Sequence, residues 1–167
     1  MIRRAIYPGS FDPVTSGHLD IVQRASTMFD EIVMAVLINP HKNSMFSVSE
    51  RVEMLKDVIV SQQDQFKATI KVDTFDGLLV DFAVRHDAQA VVRGIRAISD
   101  YEYEQQLALM NRRLAPSVET VFLLSAQEYS YISSRIVKEV ITLGGNIDGL
   151  VPDLVVKKMK EKLPPSQ

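Results

Sequence analysis

The chain has 167 residues, the size of one compact domain able to bury a substantial share of its apolar surface. Its composition, 46% hydrophobic and 24% charged, excludes a disordered or fibrous chain. A formal charge of −2 leaves no global basic field for a nucleic acid partner, so any anion must be bound locally. With no cysteine, disulfides, thiolate nucleophiles and zinc-thiolate sites are excluded. The longest uninterrupted apolar run, Ile32 to Ile38, falls far short of the ~20 residues of a membrane-spanning helix. The segment Met1 to Tyr7 lacks the apolar stretch of a secretory signal. These features lead us to expect a cytoplasmic protein with no membrane partner.

In chain order, Arg4 to Tyr7 is short and partly apolar and runs into the turn residues Pro8-Gly9-Ser10 and Asp12-Pro13, which predicts a strand and then a loop. From Gly17, the residues Leu19, Ile21, Val22, Ala25, Met28 and Phe29 recur at helical spacing, with Thr15 or Ser16 as N-cap. Glu31 to Ile38 is rich in β-branched residues and predicts a second, buried strand ending at Asn39-Pro40. Ser47-Val48-Ser49-Glu50 has capping-box spacing, followed by the stripe Val52, Leu55, Val58 and Ile59. The cycle repeats with a strand from Thr69 to Val72, a helix from Leu78 to Arg85, a strand from Ala90 to Val92 and a helix from Tyr101 to Leu114. It closes with a strand from Glu119 to Leu124, a helix from Ser133 to Leu143 ended by Gly144-Gly145, and a helix from Asp153 to Leu163.

Alternating strands and helices build βαβ units. The expected fold is α/β, Rossmann-like, a five-stranded parallel sheet with helices on both faces. One domain is expected over residues 1–163, with 164–167 a flexible tail.

In open parallel sheets ligands sit beyond the carboxyl ends of the strands, where the strand order reverses. The post-strand segments hold nearly every unusual polar residue. In Gly9-Ser10-Phe11-Asp12-Pro13-Val14-Thr15-Ser16-Gly17-His18, a tight turn delivers a helix N-terminus whose free N–H groups and dipole favour an anion. His18 falls in the first helical turn, and Gly17 permits close approach of a phosphate. Lys42 follows the second strand, and Arg93 and Arg96 follow the fourth, so three cations could converge on one crevice. Taken singly, each could equally be a solvated surface charge. Tyr129-Ser130-Tyr131-Ile132-Ser133-Ser134-Arg135 brings hydroxyls to another helix N-terminus, where one serine can cap while its neighbour faces a ligand. Tyr101, Tyr103, Leu107, Leu109 and Met110 read as core or subunit-interface residues, and His41 and His86 as surface residues.

Thr15-Ser16-Gly17-His18 resembles the T-x-G-H signature of the nucleotidylyltransferase superfamily. Together with Val92-Arg93-Gly94-Ile95-Arg96, Asp100-Tyr101-Glu102-Tyr103-Glu104 and Ile132-Ser133-Ser134-Arg135-Ile136-Val137-Lys138-Glu139, it resembles the phosphopantetheine adenylyltransferases over nearly the whole chain. The resemblance implies transfer of the adenylyl group of ATP to 4′-phosphopantetheine, giving dephospho-coenzyme A and pyrophosphate. It implies His18 and Lys42 as catalytic residues that stabilise charge. It implies ATP contacts from Ser10, Phe11, His18, Gly94, Ile95, Arg96, Glu104, Tyr129, Ser130, Tyr131, Ile132, Ser133, Ser134 and Arg135. Phosphopantetheine contacts are implied for Ser10, Lys42, Leu79 and Arg93. It further implies Mg²⁺ carried on ATP with no protein metal cage, a homohexamer, and inhibition by coenzyme A. The chain departs from the family pattern at Ser10, threonine in many relatives, at Tyr129, often tryptophan, and at Arg135, where a small residue is common.

Mononucleotide adenylyltransferases and cytidylyltransferases share the first motif but usually carry histidine where this chain has Thr15. A non-catalytic dinucleotide-binding module is the alternative outside enzymes, and no G-x-G-x-x-G occurs.

Overall fold

The structure is a computed structural model that describes residues 2–39 and 43–163. Five parallel strands, β1 (Arg4–Gly9), β2 (Glu31–Leu37), β3 (Thr69–Phe75), β4 (Ala90–Ile95) and β5 (Glu119–Leu124), form one sheet in the order β3-β2-β1-β4-β5. Six α-helices connect or follow them: α1 (Ser16–Ala25), α2 (Val48–Ser61), α3 (Leu79–Arg85), α4 (Ile98–Leu114), α5 (Ser134–Thr142) and α6 (Asp153–Lys162).

Period-two alternation in the central strands splits the core into two layers. Ala5, Tyr7, Ile32, Met34, Val36, Ala90 and Val92 face one way and pack with Ile21, Val22, Met54, Leu55, Val137, Ile141, Val155 and Met159 of α1, α2, α5 and α6. Ile6, Val33, Ala35 and Val91 face the other way, onto Val80, Phe82 and Ala83 of α3 and onto Ala115 and Val118. Both faces of β1 and β2 are therefore apolar, as a doubly covered parallel sheet requires.

The helix starts follow the predicted chemistry. Thr15 and Ser47 each form a capping box, Ser47 with Glu50 and Thr15 with His18 in the N3 position. Two boundaries differ in ways that matter. β4 runs on to Ile95 because its register with β5 continues through Arg93↔Phe122, Gly94↔Leu123 and Ile95↔Leu124, so Arg93 and Gly94 are strand residues rather than loop. Helix α4 begins at Ile98, one turn before the predicted start, which places Asp100 on the helix.

The sheet opens at its middle. β1 and β2 pair from Arg4↔Glu31 to Gly9↔Val36, whereas β1 and β4 pair only at Ala5↔Ala90 and Ile6↔Val91. Beyond Ile6 the two strands part, and the order reverses there, so the crevice at the carboxyl ends lies where the topology rule puts it.

Candidate active site

A cleft of about 620 Å³ occupies this switch point, a volume typical of small-molecule sites. Of the residues expected at a site, Ser10, His18, Leu79, Arg93, Gly94, Arg96, Glu104, Tyr129, Ile132, Ser133 and Ser134 line it. Phe11, Ile95, Ser130, Tyr131 and Arg135 do not. Phe11 and Ile95 are buried beneath it, while Ser130 and Tyr131 border a separate shallow surface beside Gln127 and Glu128. Arg135 is exposed on α5. Lys42 and His41 lie outside the described residues, as does the 164–167 tail.

The first post-strand loop builds a rigid seat for His18. The Thr15 N–H donates to His18 Nδ1 at 3.0 Å, and the His18 N–H donates to Thr15 Oγ1 at 3.3 Å. With Nδ1 accepting, the proton of a neutral imidazole sits on Nε2. Burial lowers the His18 pKa to about 4, and the Arg96 charge pushes the same way. At neutral pH His18 is therefore an uncharged hydrogen-bond donor. Phe11 supports the ring from below, edge-on at 5.1 Å between centroids. Phe11 sits at φ 45°, a left-handed conformation uncommon for a bulky residue, and its ring passes beneath Gly9. A Cβ at Gly9 would lie 2.9 Å from that ring, so glycine is needed for close approach.

Helix α5 closes the cleft from the other side. Ser133 caps it, with its Oγ accepting from the Ile136 N–H at 3.1 Å. Ser134 Oγ donates to the Pro13 carbonyl at 2.7 Å, tying this helix start to the first loop. Asp20 fastens the β5–α5 connection to α1 by accepting from the Ala126 N–H at 2.9 Å. Two helix N-termini, those of α1 and α5, therefore open onto one cleft, each adding free N–H groups and a positive dipole end.

The two described cations do converge, but neither is bare. Arg93 makes a fork to Glu104, Nε to Oε2 at 2.6 Å and Nη2 to Oε1 at 2.5 Å. Burial works against the Arg93 charge, but this pairing outweighs it and raises the Arg93 pKa. Arg96 pairs with Asp100 through Nε at 3.1 Å and donates through Nη1 to the Ile132 carbonyl at 3.2 Å. Among the described residues the charges of the lining side chains cancel, Arg93 and Arg96 against Asp100 and Glu104.

Of one wall of the cleft the sequence marked only Glu104. Asp100, Tyr103, Glu104, Leu107 and Asn111 line it as a single stripe of α4. Tyr103 and Leu107 are thus cleft residues rather than core. Tyr101, Tyr103, Leu109 and Met110 are all exposed, and Glu104 is the one buried residue of the helix. The i, i+3, i+4 and i+7 spacing from Asp100 was the available signal. Leu37, Phe75, Leu78 and Leu79 add an apolar part to the lining.

A family model described as cytidylyltransferase-like matches residues 6–140. A phosphopantetheine adenylyltransferase of Geobacter metallireducens is 53% identical over 158 residues, covering 95% of this chain and 94% of that protein. One from Caldanaerobacter subterraneus is 48% identical over 161 residues, covering 96% of this chain and 98% of that protein. The chain belongs to the phosphopantetheine adenylyltransferase family.

A similar architecture occurs in a more distant protein. A nicotinic acid mononucleotide adenylyltransferase of Plasmodium falciparum, solved with NaAD, superposes with a TM-score of 0.70, covering 96% of each chain at 15% identity. At that identity the likeness concerns the fold. Within this adenylyltransferase family member, the T-x-G-H signature is a capping box whose N3 histidine faces the cleft, so the motif's spacing has a local mechanical reason. Among the described residues no helix is long and apolar enough to cross a membrane.

Proposed function

We propose that this chain transfers the adenylyl group of ATP to 4′-phosphopantetheine, releasing pyrophosphate and forming dephospho-coenzyme A. The observation that carries the reading is a two-sided cleft in a chain of this family. One side offers helix N-termini, His18, Arg96, Ser133 and Ser134, which suit the triphosphate of ATP. The other offers Leu37, Phe75, Leu78, Leu79, Tyr103 and Leu107, which suit an extended, largely uncharged arm, with Arg93 between them for the acceptor phosphate.

The acceptor phosphate has a second pKa of ~6 and is largely a dianion at neutral pH, so it attacks the α-phosphorus without a general base. Catalysis then rests on alignment and on stabilising charge at the pentavalent centre. His18 supplies a preorganised Nε2–H donor there, neutral and held by Thr15. Lys42, in the segment after β2, joins His18 in this role. Ser10 serves both substrates, and Leu79 packs the pantetheine arm. Gly94, Tyr129 and Ile132, which line the cleft, complete the ATP side with the residues already named.

The cleft's donor set fits a cation carried by the nucleotide. Among the described residues its carboxylates, Asp100 and Glu104, are occupied by arginines, and the remaining polar side chains are hydroxyls, His18 and the Asn111 amide. Mg²⁺ on the triphosphate would neutralise charge on the departing pyrophosphate. We further propose a cytoplasmic homohexamer restrained by coenzyme A. The exposed Ile98, Leu109, Met110 and Leu114 of α4 give such an assembly apolar surface to bury.

The test is pyrophosphate release from Mg-ATP with phosphopantetheine, nicotinamide mononucleotide or glycerol 3-phosphate as acceptor. Turnover with phosphopantetheine alone is expected, and its absence rejects the assignment. Light scattering and inhibition assays check assembly and feedback. A monomer, or rates insensitive to coenzyme A, rejects those two proposals.

A further inference from the structure

Arg93 and Arg96 lie on adjoining stretches of β4 and its following loop, and both line the cleft. Each is gripped by a carboxylate from the same face of α4. Glu104 takes Nε and Nη2 of Arg93, and Asp100, one turn earlier on the helix, takes Nε and Nη2 of Arg96 at 3.1 and 3.3 Å. Asp100 also accepts from the Arg96 backbone N–H at 3.1 Å, fixing the main chain as well as the side chain. Both pairs use the Nε edge of the guanidinium. Nη1 of Arg96 reaches the Ile132 carbonyl, and Nη1 of Arg93 meets no acceptor among the described residues.

We infer that Asp100 and Glu104 are positioning residues that present the two cleft arginines to phosphate groups in a fixed orientation. This deepens the adenylyl-transfer reading and rests on it. A free arginine carries ~2 kcal/mol of rotamer entropy that anion binding would otherwise have to overcome. A fork to a carboxylate fixes the plane of the guanidinium before substrate arrives. Two carboxylates in an anion cleft otherwise work against its ligand through like-charge repulsion, so their presence calls for a compensating role. Glu104 is the one buried residue of α4, and both of its oxygens face Arg93. Glu104 therefore bears on the acceptor phosphate, through Arg93.

Positioning and plain electrostatics predict opposite results. Neutralising a carboxylate that only repels should tighten phosphate binding and leave kcat intact. Neutralising one that aligns an arginine should lower kcat while ground-state affinity holds. Glu104→Gln and Asp100→Asn are each expected to lower kcat about tenfold, with KM for phosphopantetheine and for ATP, respectively, moving less than about threefold. Lysine cannot form the fork, so Glu104→Gln in an Arg93→Lys background, and Asp100→Asn in an Arg96→Lys background, should cause no further loss. Additive losses, or a rise in ATP KM from Glu104→Gln that persists beside Arg93→Lys, would overturn the inference. The clamps are also readable without turnover. In nitrogen–proton NMR spectra of the unmutated chain, the Nε–H groups of Arg93 and Arg96 should be rigid, and each should become mobile when its partner is neutralised. Mobility in the unmutated chain refutes the clamps even where phosphopantetheine is turned over. Rigid clamps without that turnover reject only the activity.

Discussion

Neutral His18 makes the stability of the ligand-free chain depend on pH over a defined window. Its imidazole has a pKa of about 4 in the fold against 6.5 in the unfolded chain. Between these values the unfolded state binds more protons, so stability rises with pH through the window and is complete above 6.5. From pH 6.5 to pH 5 the interval is 1.5 pH units, which at 1.36 kcal/mol per unit gives a ceiling of about 2 kcal/mol. His18 is half-buried in an open cleft, so water trims the effect below that ceiling. His18→Asn keeps a polar group of similar reach and cannot titrate. Denaturant unfolding of both proteins at pH 7.5 and pH 5 isolates the histidine, since every other group titrates in both. The unmutated chain should lose between about 1 and 2 kcal/mol more than the variant. Parallel losses would show that His18 is solvated in the fold and would remove the basis for its neutral-donor role.

Other consequences follow from the same geometry. His18→Ala should lower kcat by a factor of ~10² to 10³ with little change in ATP affinity, as loss of one preorganised donor does; single-turnover assays and calorimetry separate the two. Gly9→Ala drives a methyl into the Phe11 ring that supports His18, so a stability loss of about 1–3 kcal/mol and a reduced kcat are expected together. Burial alone would raise the Asp12 carboxyl, but hydrogen bonds from Lys138 and from the Phe46 and Met45 N–H groups outweigh it and hold it below the usual range. That stabilisation is present above the ordinary Asp pKa and is lost as pH falls below it, and Asp12→Ala should cost about 3–5 kcal/mol in denaturant unfolding at neutral pH. Ser133→Ala removes the α5 cap and should cost about 1 kcal/mol in the same assay.

Apolar periodicity and capping chemistry are local properties, so the strand and helix alternation, the cap at Ser47, the cap choices Thr15 or Ser16 and Ser133 or Ser134, and the loops where chemistry gathers are all legible in the sequence. Five strands alternating with helices also implied the parallel sheet and its crevice. The string around Thr15 to His18 marked the anion-binding helix start because glycine and a first-turn histidine are read from neighbours in the chain. Other features depended on distant partners. The end of β4 at Ile95 was set by β5, which pairs with it from a separate part of the sequence. Beyond Glu104 the α4 wall was hidden, because its stripe mixes Asp100, Tyr103, Leu107 and Asn111 with that carboxylate, which resembles neither an apolar core face nor a charged surface. Its meaning appeared only when the sheet opened between β1 and β4 and the helix lay along the gap. The charge of the site was likewise a tertiary matter. Arg93 and Arg96 are visible in the sequence as cations, but their carboxylate partners sit 11 and 4 residues away, and only packing could show that they are paired.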